Sequence, residues 1–361
     1  MATRLEVKPH RALNVIERDA WRAFVEADPG LSTPYTALGF ADAVAAARRD
    51  VSVVVQSRGG APEAFLPLHR AFGGHARPLA GPLGDHHGVI AAPDAQIDLR
   101  AMMRAAGVGA FDFHGALGCQ AAFSGYGDVE DGSWVADLSD GYDAFVARQK
   151  KLGGNTFRTI HAAHRKIEER EGAVTITFDD KRPEARAALY RWKSAQYRAT
   201  GHFDVFSAGW TRRLVDTLLH GTRNDCRGVL SSLEIDGRIA AVHFGILGPR
   251  AMHYWFPVYD PEFAKLAPGN ALKMAICAEL AERGVGELHL GPGDFRYKVA
   301  LGSWQIPLRQ GCVARFAPMG LARRACAAVE ETAERLPLGA LSRLPGKAFR
   351  RIDRIAAFRA A

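Results

Sequence analysis

The sequence is poor in cysteine and has no long apolar segment. Its five cysteines are widely spaced over 361 residues, and neither their odd number nor their spacing suits a disulfide framework. No uncharged apolar run reaches the ~18 residues needed to cross a bilayer. Charged side chains interrupt the N-terminal region, where a signal peptide would be apolar. We therefore expect a cytoplasmic protein that is at most peripheral at the inner membrane.

Several short catalytic and binding motifs are also absent. The chain has no Walker A sequence, no G-x-G-x-x-G between a strand and a helix, and no G-x-S-x-G around a nucleophilic serine. His161 and His164 share a helix face, but the zincin glutamate is missing and no cysteine is near. We expect no metal site, and no sequence-specific binding of nucleic acid because no recognised module is present.

What the sequence does contain is typical of a globular protein with more than one core. Apolar residues make up 48% and charged residues 24% of the chain, and its length suggests two domains. The net charge of +8 is unevenly distributed. Nine basic and four acidic side chains follow residue 315, which leaves only +3 on the preceding residues. Anionic partners are therefore expected at the C-terminal end.

The two halves of the chain share a pattern at an offset of 177 residues. Gly107-Val-Gly109 corresponds to Gly284-Val-Gly286, and in both places a helical stretch precedes the glycine and an apolar strand follows it. Gly60 corresponds to Gly237, each between two apolar stretches, as in a hairpin. The pattern predicts a duplicated α+β unit with an opening helix, an antiparallel hairpin, a third strand, a crossover helix and a fourth strand.

This order of elements resembles the GNAT acyltransferase fold. Its doubling resembles the tandem FemAB-like enzymes and the CelD/BcsL family of bacterial exopolysaccharide and cellulose synthesis. The resemblance is strongest in the second half, in Trp192–Arg198, Gly237–Ala241, Pro268-Gly269 and Gly293–Lys298. It implies tandem GNAT-like domains with mixed sheets flanked by helices. The implied divisions are an N-terminal domain (residues 1–147), a catalytic C-terminal domain (148–316) and a basic helical tail (317–361).

A loop before the crossover helix of the second half is the candidate site for an acyl donor. The N-terminus of a helix offers backbone N–H groups and a favourable dipole to the pyrophosphate of acyl-CoA. The resemblance suggests acetyl-CoA, bound by Lys265, Gly269, Asn270 and Ala271. Leu266 stands where the usual GNAT loop has Arg or Gln, and a simple turn with a helix cap also explains the segment. The first half lacks such a loop and is expected to be degenerate.

Polar side chains follow the last apolar strand of the second half, where open sheets commonly bind ligands. Acyl transfer to an amine requires an acceptor for the amine proton and a proton donor for the leaving thiolate. Asp294 is expected to accept the proton, Tyr297 to donate one, and Lys298 to hold a phosphate or carboxylate. Tyr254, on the third strand, is a second candidate donor. A glycine-rich turn with solvated charges is the alternative interpretation.

Further polar side chains are candidates for binding the acceptor substrate. His243 alternates with apolar residues on a strand, and it either lines the cleft or is a satisfied histidine within the sheet. The other candidates are Arg158, Lys193, Gln196, Arg198 and Arg296 in the second half, and Asp85 and His86 in the first.

Near the C-terminus, apolar and basic side chains alternate at helical spacing. The basic ones are Arg343, Lys347, Arg350, Arg351 and Arg354. Three interpretations stay open for such a helix: it docks on its own domain, lies on an anionic membrane surface, or binds a cyclic dinucleotide through paired guanidinium groups.

Together with the resemblance, these residues predict an N-acyltransferase that uses acetyl-CoA to acylate an amino group on a sugar of an exopolysaccharide or its precursor. A Fem-like aminoacyltransferase that uses aminoacyl-tRNA is the second hypothesis. The third is a non-catalytic sensor that binds an anionic ligand through its tail and partners a polysaccharide synthase.

Overall fold

The computed structural model describes residues 2–71, 74–169, 174–314 and Phe358. The chain forms two compact units, and it passes from one to the other after residues 31, 43, 130 and 307. The resemblance implies boundaries after residues 147 and 316. The basic residues of the predicted tail lie outside the described residues. No helix in the described part of the chain is both long and apolar enough to cross a membrane.

The first unit has a mixed sheet. Apolar side chains from its strands and from two helices form the core of the unit. Its strands are β1 (Thr3–Pro9), β2 (Val51–Arg58), β3 (Ala61–Ala71), β4 (His75–Pro78), β5 (Ile90–Ala91), β6 (Ala110–Leu117) and β13 (Trp304–Ala314, of which residues 308–314 belong to this unit). Their order is β1-β2-β3-β4-β6-β13, with β5 beside β3. Helices α1 (Val15–Ala27) and α3 (Leu99–Ala105) pack on this sheet.

The second unit has the larger number of helices. Its strands are β7 (Gly127–Asp137, of which residues 131–137 belong to this unit), β8 (Val174–Thr177), β9 (Arg227–Ile235), β10 (Arg238–Leu247), β11 (Ala251–Tyr259) and β12 (Glu287–Pro292), in the order β7-β12-β11-β10-β9-β8. Its helices are α4 (Tyr142–Leu152), α5 (Gly154–Glu168), α6 (Pro183–Ala199), α7 (Gly209–His220), α8 (Pro268–Glu282), α9 (Arg296–Leu301) and the first part of α2 (Leu38–Ala47).

The two sheets repeat one pattern of strand pairing, which confirms the predicted duplication. β1 to β4 pair antiparallel in succession and β4 pairs parallel with β6, just as β8 to β11 pair antiparallel and β11 pairs parallel with β12. Equivalent glycines also share a backbone conformation. Gly60 and Gly237 complete the two hairpin turns at φ of +88° and +73°, a region that side chains disfavour.

The strand that closes each sheet comes from the other half of the sequence. β13 pairs antiparallel with β6, whereas β7, which follows β6 along the chain, pairs antiparallel with β12. The sequence pattern does not predict these two strands, nor the edge strands β1 and β8. The pairing of β6 with β13 joins residues almost 200 positions apart, so no local signal specifies it.

Helix α8 is largely buried in the second unit. It packs against α5 and against β9, β10 and β11. Its sequence is apolar on nearly all sides, which is the composition of a helix inside a core. Lys273 is the one charged residue among the buried residues of this helix, and only 5% of it is exposed. A charged residue at such a position requires a chemical explanation.

Candidate active site

The sheet of the second unit opens between β11 and β12. These strands pair in parallel only where Ala251–His253 faces Glu287–His289. Beyond that point β11 continues beside β10 to Tyr259, while β12 continues beside β7 to Pro292. The result is a gap between Tyr254–Tyr259 and Leu290–Pro292 at the carboxyl ends of the two strands, which we call the strand gap. Ligands of open sheets commonly bind at this end.

The N-terminus of α8 lies beside the end of β11. A Cβ atom added to Gly269 would lie 3.4 Å from the Tyr259 ring. The residue before the helix, Ala267, has a left-handed conformation, and in the described part of the chain no side chain caps this helix end. Pro268 has no N–H group, and the N–H groups of Asn270 and Ala271 donate to the Ala267 carbonyl at 2.9 and 3.3 Å. Among the described residues, this helix end therefore offers an anionic ligand the N–H group of Gly269 and the positive end of the helix dipole.

The equivalent helix of the first unit is built differently. Helix α3 has only seven residues, and the carboxylate of Asp98 accepts a hydrogen bond of 3.0 Å from the backbone N–H of Ala101. A negative charge already satisfies this helix end, so an incoming pyrophosphate would be repelled. The difference favours α8 over α3 as the place where a phosphorylated donor binds.

The predicted donor-binding residues lie around the first turn of α8 with different exposure. Gly269 and Asn270 are half-buried in the first turn, while Ala271 is buried. Lys265 is exposed at the end of a short 3-10 segment, Pro261–Leu266. Leu266, at the position where the usual GNAT loop has Arg or Gln, packs against the apolar core of the unit.

Lys273 lies near aromatic side chains from both sides of the strand gap. Tyr254 is the first residue of β11 beyond the parallel pairing, and Tyr297 lies in α9, which follows β12. The Lys273 Nζ atom lies 3.9 Å from the centre of the Tyr297 ring and 5.7 Å from the centre of the Tyr254 ring. The ring of Tyr254 also stacks on that of His243, at 3.9 Å between centres and 10° between planes.

Burial determines the protonation states of this cluster. It lowers the pKa of Lys273 to about 8 and raises that of the Cys277 thiol to about 12. Burial also raises the pKa of Tyr254 well above its usual value and lowers that of His243 well below its usual value. At neutral pH the thiol, the phenol and the imidazole are therefore uncharged, while most Lys273 side chains remain ammonium ions.

Asp294 and Lys298 differ in exposure although they are close in sequence. Asp294 is exposed, and its carboxylate accepts a hydrogen bond of 2.8 Å from the Trp134 indole. Lys298 is buried, and its ammonium donates to the Pro292 carbonyl at 2.6 Å, which fixes the end of β12. Beside them lies a surface depression of about 220 Å³ lined by Leu152, Gly153, Thr156, Asp294, Arg296, Val299 and Ala300.

Among the predicted substrate-binding residues, Lys193 is close to the strand gap. Its ammonium donates to the Pro257 carbonyl of β11 at 3.0 Å, and burial lowers its pKa to about 8. His243 is fully buried within the sheet, and neither of its ring nitrogens has a hydrogen-bond partner among the described residues. Its surroundings are thus those of the strand-gap cluster and not of a satisfied sheet histidine.

The remaining candidates lie elsewhere. Arg158 is exposed on α5, where it donates to Asn155. Gln196 and Arg198 are exposed on α6. Half-buried Asp85 and buried His86 belong to the first unit.

Lys273 and Cys277 are not among the residues predicted from the sequence. They lie four residues apart and so face the same side of α8. A signal exists, because a single lysine interrupts the otherwise apolar stretch Ala271–Cys277. Recognising it requires knowing that all sides of the helix are covered.

Comparison with known proteins agrees with this geometry. The family profile described as an acetyltransferase (GNAT) domain matches residues 154–299, which lie within the second unit. No curated protein matches the chain.

Several solved structures resemble most of the chain. FemX has a TM-score of 0.60 at 9% identity, over 90% of this chain and 99% of its own. The C-terminal domain of a putative lysylphosphatidylglycerol synthetase from Agrobacterium fabrum has a TM-score of 0.55 at 13% identity, over 86% and 96%. A tandem GNAT protein from the clavulanic acid biosynthesis pathway has a TM-score of 0.51 at 12% identity, over 87% of this chain and 99% of its own. At these identities the likeness establishes the fold, which is the predicted tandem GNAT arrangement.

Proposed function

We propose that the protein transfers an acyl group, most simply acetyl from acetyl-CoA, to the amino group of a sugar in an exopolysaccharide or its precursor. The observation that carries this proposal is the divergence of β11 from β12 beside the uncapped N-terminus of α8. The gap admits an extended thioester arm between two strands, and the helix end offers the Gly269 N–H group and the helix dipole to its pyrophosphate.

The residues around the gap supply a mechanism for this proposal. The acceptor enters at the depression beside Asp294, which takes the proton that the amine must lose. Arg296, at the same depression, attracts an anionic group of the acceptor. The amine nitrogen attacks the thioester carbonyl, and Tyr297 donates a proton to the departing thiolate, with Tyr254 as the second candidate donor. A direct attack requires no covalent intermediate on the protein.

Donor binding is testable by calorimetry with acetyl-CoA. We expect Gly269→Val to weaken binding at least about tenfold, because the added side chain covers the N–H group of residue 269 at the start of α8. Gly286→Ala is the matched control, since it lies before β12, away from the gap, and its Cβ would make only ordinary contacts at 3.7 Å. Absence of any binding heat at millimolar acetyl-CoA would remove this donor.

A donor of the Fem type, aminoacyl-tRNA, is the second candidate. It is favoured by Leu266, which packs into the core where the usual GNAT loop has a polar Arg or Gln. The same calorimetric series separates the two donors. If the protein does not bind acetyl-CoA but binds an aminoacyl-tRNA in a gel-shift experiment, the result supports the second candidate.

The basic tail is proposed to bring the protein to an anionic surface near a polysaccharide synthase. Removal of residues 317–361 takes away nine basic and four acidic side chains. We expect this truncation to abolish sedimentation with vesicles containing phosphatidylglycerol, an effect that should also disappear at high salt for the full chain. Vesicle binding that survives the truncation would contradict the membrane role. Tail-dependent binding of a cyclic dinucleotide without acyl transfer would favour the sensor hypothesis.

A further inference from the structure

The ammonium group of Lys273 is buried, and the described part of the chain places no countercharge beside it. Only 5% of the residue is exposed, and among the residues that the structure describes no carboxylate forms an ion pair with it. Its neighbours are the faces of two aromatic rings. An uncompensated charge in a core is costly, so proteins rarely keep one where it has no use.

The titratable and aromatic groups that interact with Lys273 lie on β10, β11, α8 and α9. They are Tyr254 on β11, His243 on β10, Cys277 on α8 itself, and Tyr297 and Lys298 on α9. His243, Tyr254 and Cys277 are neutral at physiological pH, and Lys298 is a second cation. The cluster therefore has an excess of positive charge and lies on both sides of the strand gap.

The proposed reaction creates the missing negative charge. A thioester is neutral when it binds, but its carbonyl oxygen becomes negative when the amine adds. The charge then passes to sulfur as the carbon–sulfur bond breaks. A fixed cation interacts with this negative charge only after the amine begins to add. It therefore stabilises the transition state more than it stabilises the complex with the intact donor, which is the condition for catalysis.

We propose that Lys273 is a catalytic residue whose ammonium stabilises the negative charge that the acyl donor acquires during transfer. This assignment rests on the proposed function, and it holds for either donor because both pass through an oxyanion. The acceptor nitrogen forms the new bond to the acyl carbon, the bond to the leaving atom breaks with its electron pair, and the leaving atom takes its proton from Tyr297. Lys273 remains protonated throughout.

The test compares Lys273→Met and Lys273→Arg in the full chain. Release of CoA thiol from acetyl-CoA is measured with glucosamine as the probe acceptor. We expect Lys273→Met to lower kcat about 100-fold or more while acetyl-CoA affinity, measured by calorimetry, changes less than about threefold. Lys273→Arg keeps the charge and should stay within about tenfold of the wild type. Lys166→Met, an exposed substitution on α5, is the control.

The pH profile distinguishes charge stabilisation from other roles. For the wild type, kcat should fall as pH rises through about 8, where Lys273 loses its proton, and in Lys273→Arg this fall should move to higher pH. A rate that rises through pH 8 and is lost in both variants would make Lys273 a base and overturn the proposal. So would wild-type kcat in Lys273→Met. A wild type that turns over neither donor overturns the proposed function itself, and the role of Lys273 with it.

Discussion

Replacing Lys273 by methionine is expected to raise the free energy of unfolding by about 2 to 3 kcal/mol at pH 7. Burial lowers the pKa of this lysine from 10.5 to about 8, and each pKa unit corresponds to about 1.4 kcal/mol. The ring contacts of the ammonium offset roughly 1 kcal/mol of that penalty. Methionine fills a similar volume without a charge, so the substitution removes the penalty and leaves no cavity.

The pH dependence of this gain has a definite sign. Because the folded-state pKa of Lys273 lies below the unfolded value, the unfolded wild type binds more protons between pH 8 and 10.5. Wild-type stability therefore rises with pH in this window as the penalty disappears, and below pH 8 the penalty is complete. The advantage of Lys273→Met should accordingly shrink between pH 8 and 10.5. Urea denaturation at several pH values measures it.

Lys166→Met serves as the control for this prediction as well. Its side chain is exposed on α5, so its substitution should change stability by less than about 0.5 kcal/mol at every pH. A Lys273→Met protein that is less stable than the wild type at pH 7 would contradict the inference that burial of the Lys273 ammonium destabilises the fold. Greater stability together with lower kcat would identify Lys273 as a residue kept for function at the expense of the fold.

Replacing Gly311 by valine is expected to destabilise the first unit by about 3 kcal/mol or more. Gly311 lies in β13, and a Cβ atom there would approach the Gly127 Cα atom to 2.7 Å and would also press on the Tyr126 carbonyl. These are backbone atoms, which have no rotamer by which to move away. The strand must therefore separate from its neighbours, which breaks hydrogen bonds of the ladder with β6.

Gly125→Ala is the matched control for Gly311→Val, since a Cβ atom at Gly125 has no neighbour within 4 Å. Its effect should stay within about 0.5 kcal/mol. Thermal unfolding followed by circular dichroism measures both substitutions. If Gly311→Val melts with the wild type, the close approach of β13 to these backbone atoms is wrong.

The regular part of each unit is predictable because its signals are local. Asp236-Gly237 specifies the turn between β9 and β10, and both residues adopt the positive φ that such a turn requires. The crossover helix is predicted to begin near Asn270, and α8 begins two residues earlier at Pro268. A repeated order of such elements is enough to indicate the tandem fold.

The parts that escape prediction depend on residues far apart in sequence. β7 and β13 take their places through pairing across the chain, and nothing within either segment indicates its partner. Lys273 escapes for a related reason. The sequence of its helix shows an apolar pattern. The strand gap, however, exists because β11 pairs with β12 over only three residues, and the pattern of the helix does not indicate that pairing.

Asp294 shows the converse. Its position after the end of β12 is correctly anticipated, because a glycine-rich segment after an apolar run marks a strand end. The sequence does not predict the environment of Asp294, because its hydrogen bond with Trp134 joins residues 160 positions apart. Sequence pattern therefore indicates where polar groups leave the sheet, while their hydrogen-bond partners require the folded chain.

The exchange of closing strands affects how the protein is made. During synthesis on the ribosome, β6 is complete long before β13, which must wait for residues 118–307. At ~5–20 residues per second this delay is on the order of 10 to 40 s. For that time the backbone of β6 is an open edge, available to other nascent chains. The first half of the chain cannot finish folding as an independent early unit, so its yield in the cell should depend on translation rate and on chaperones that shield strand edges.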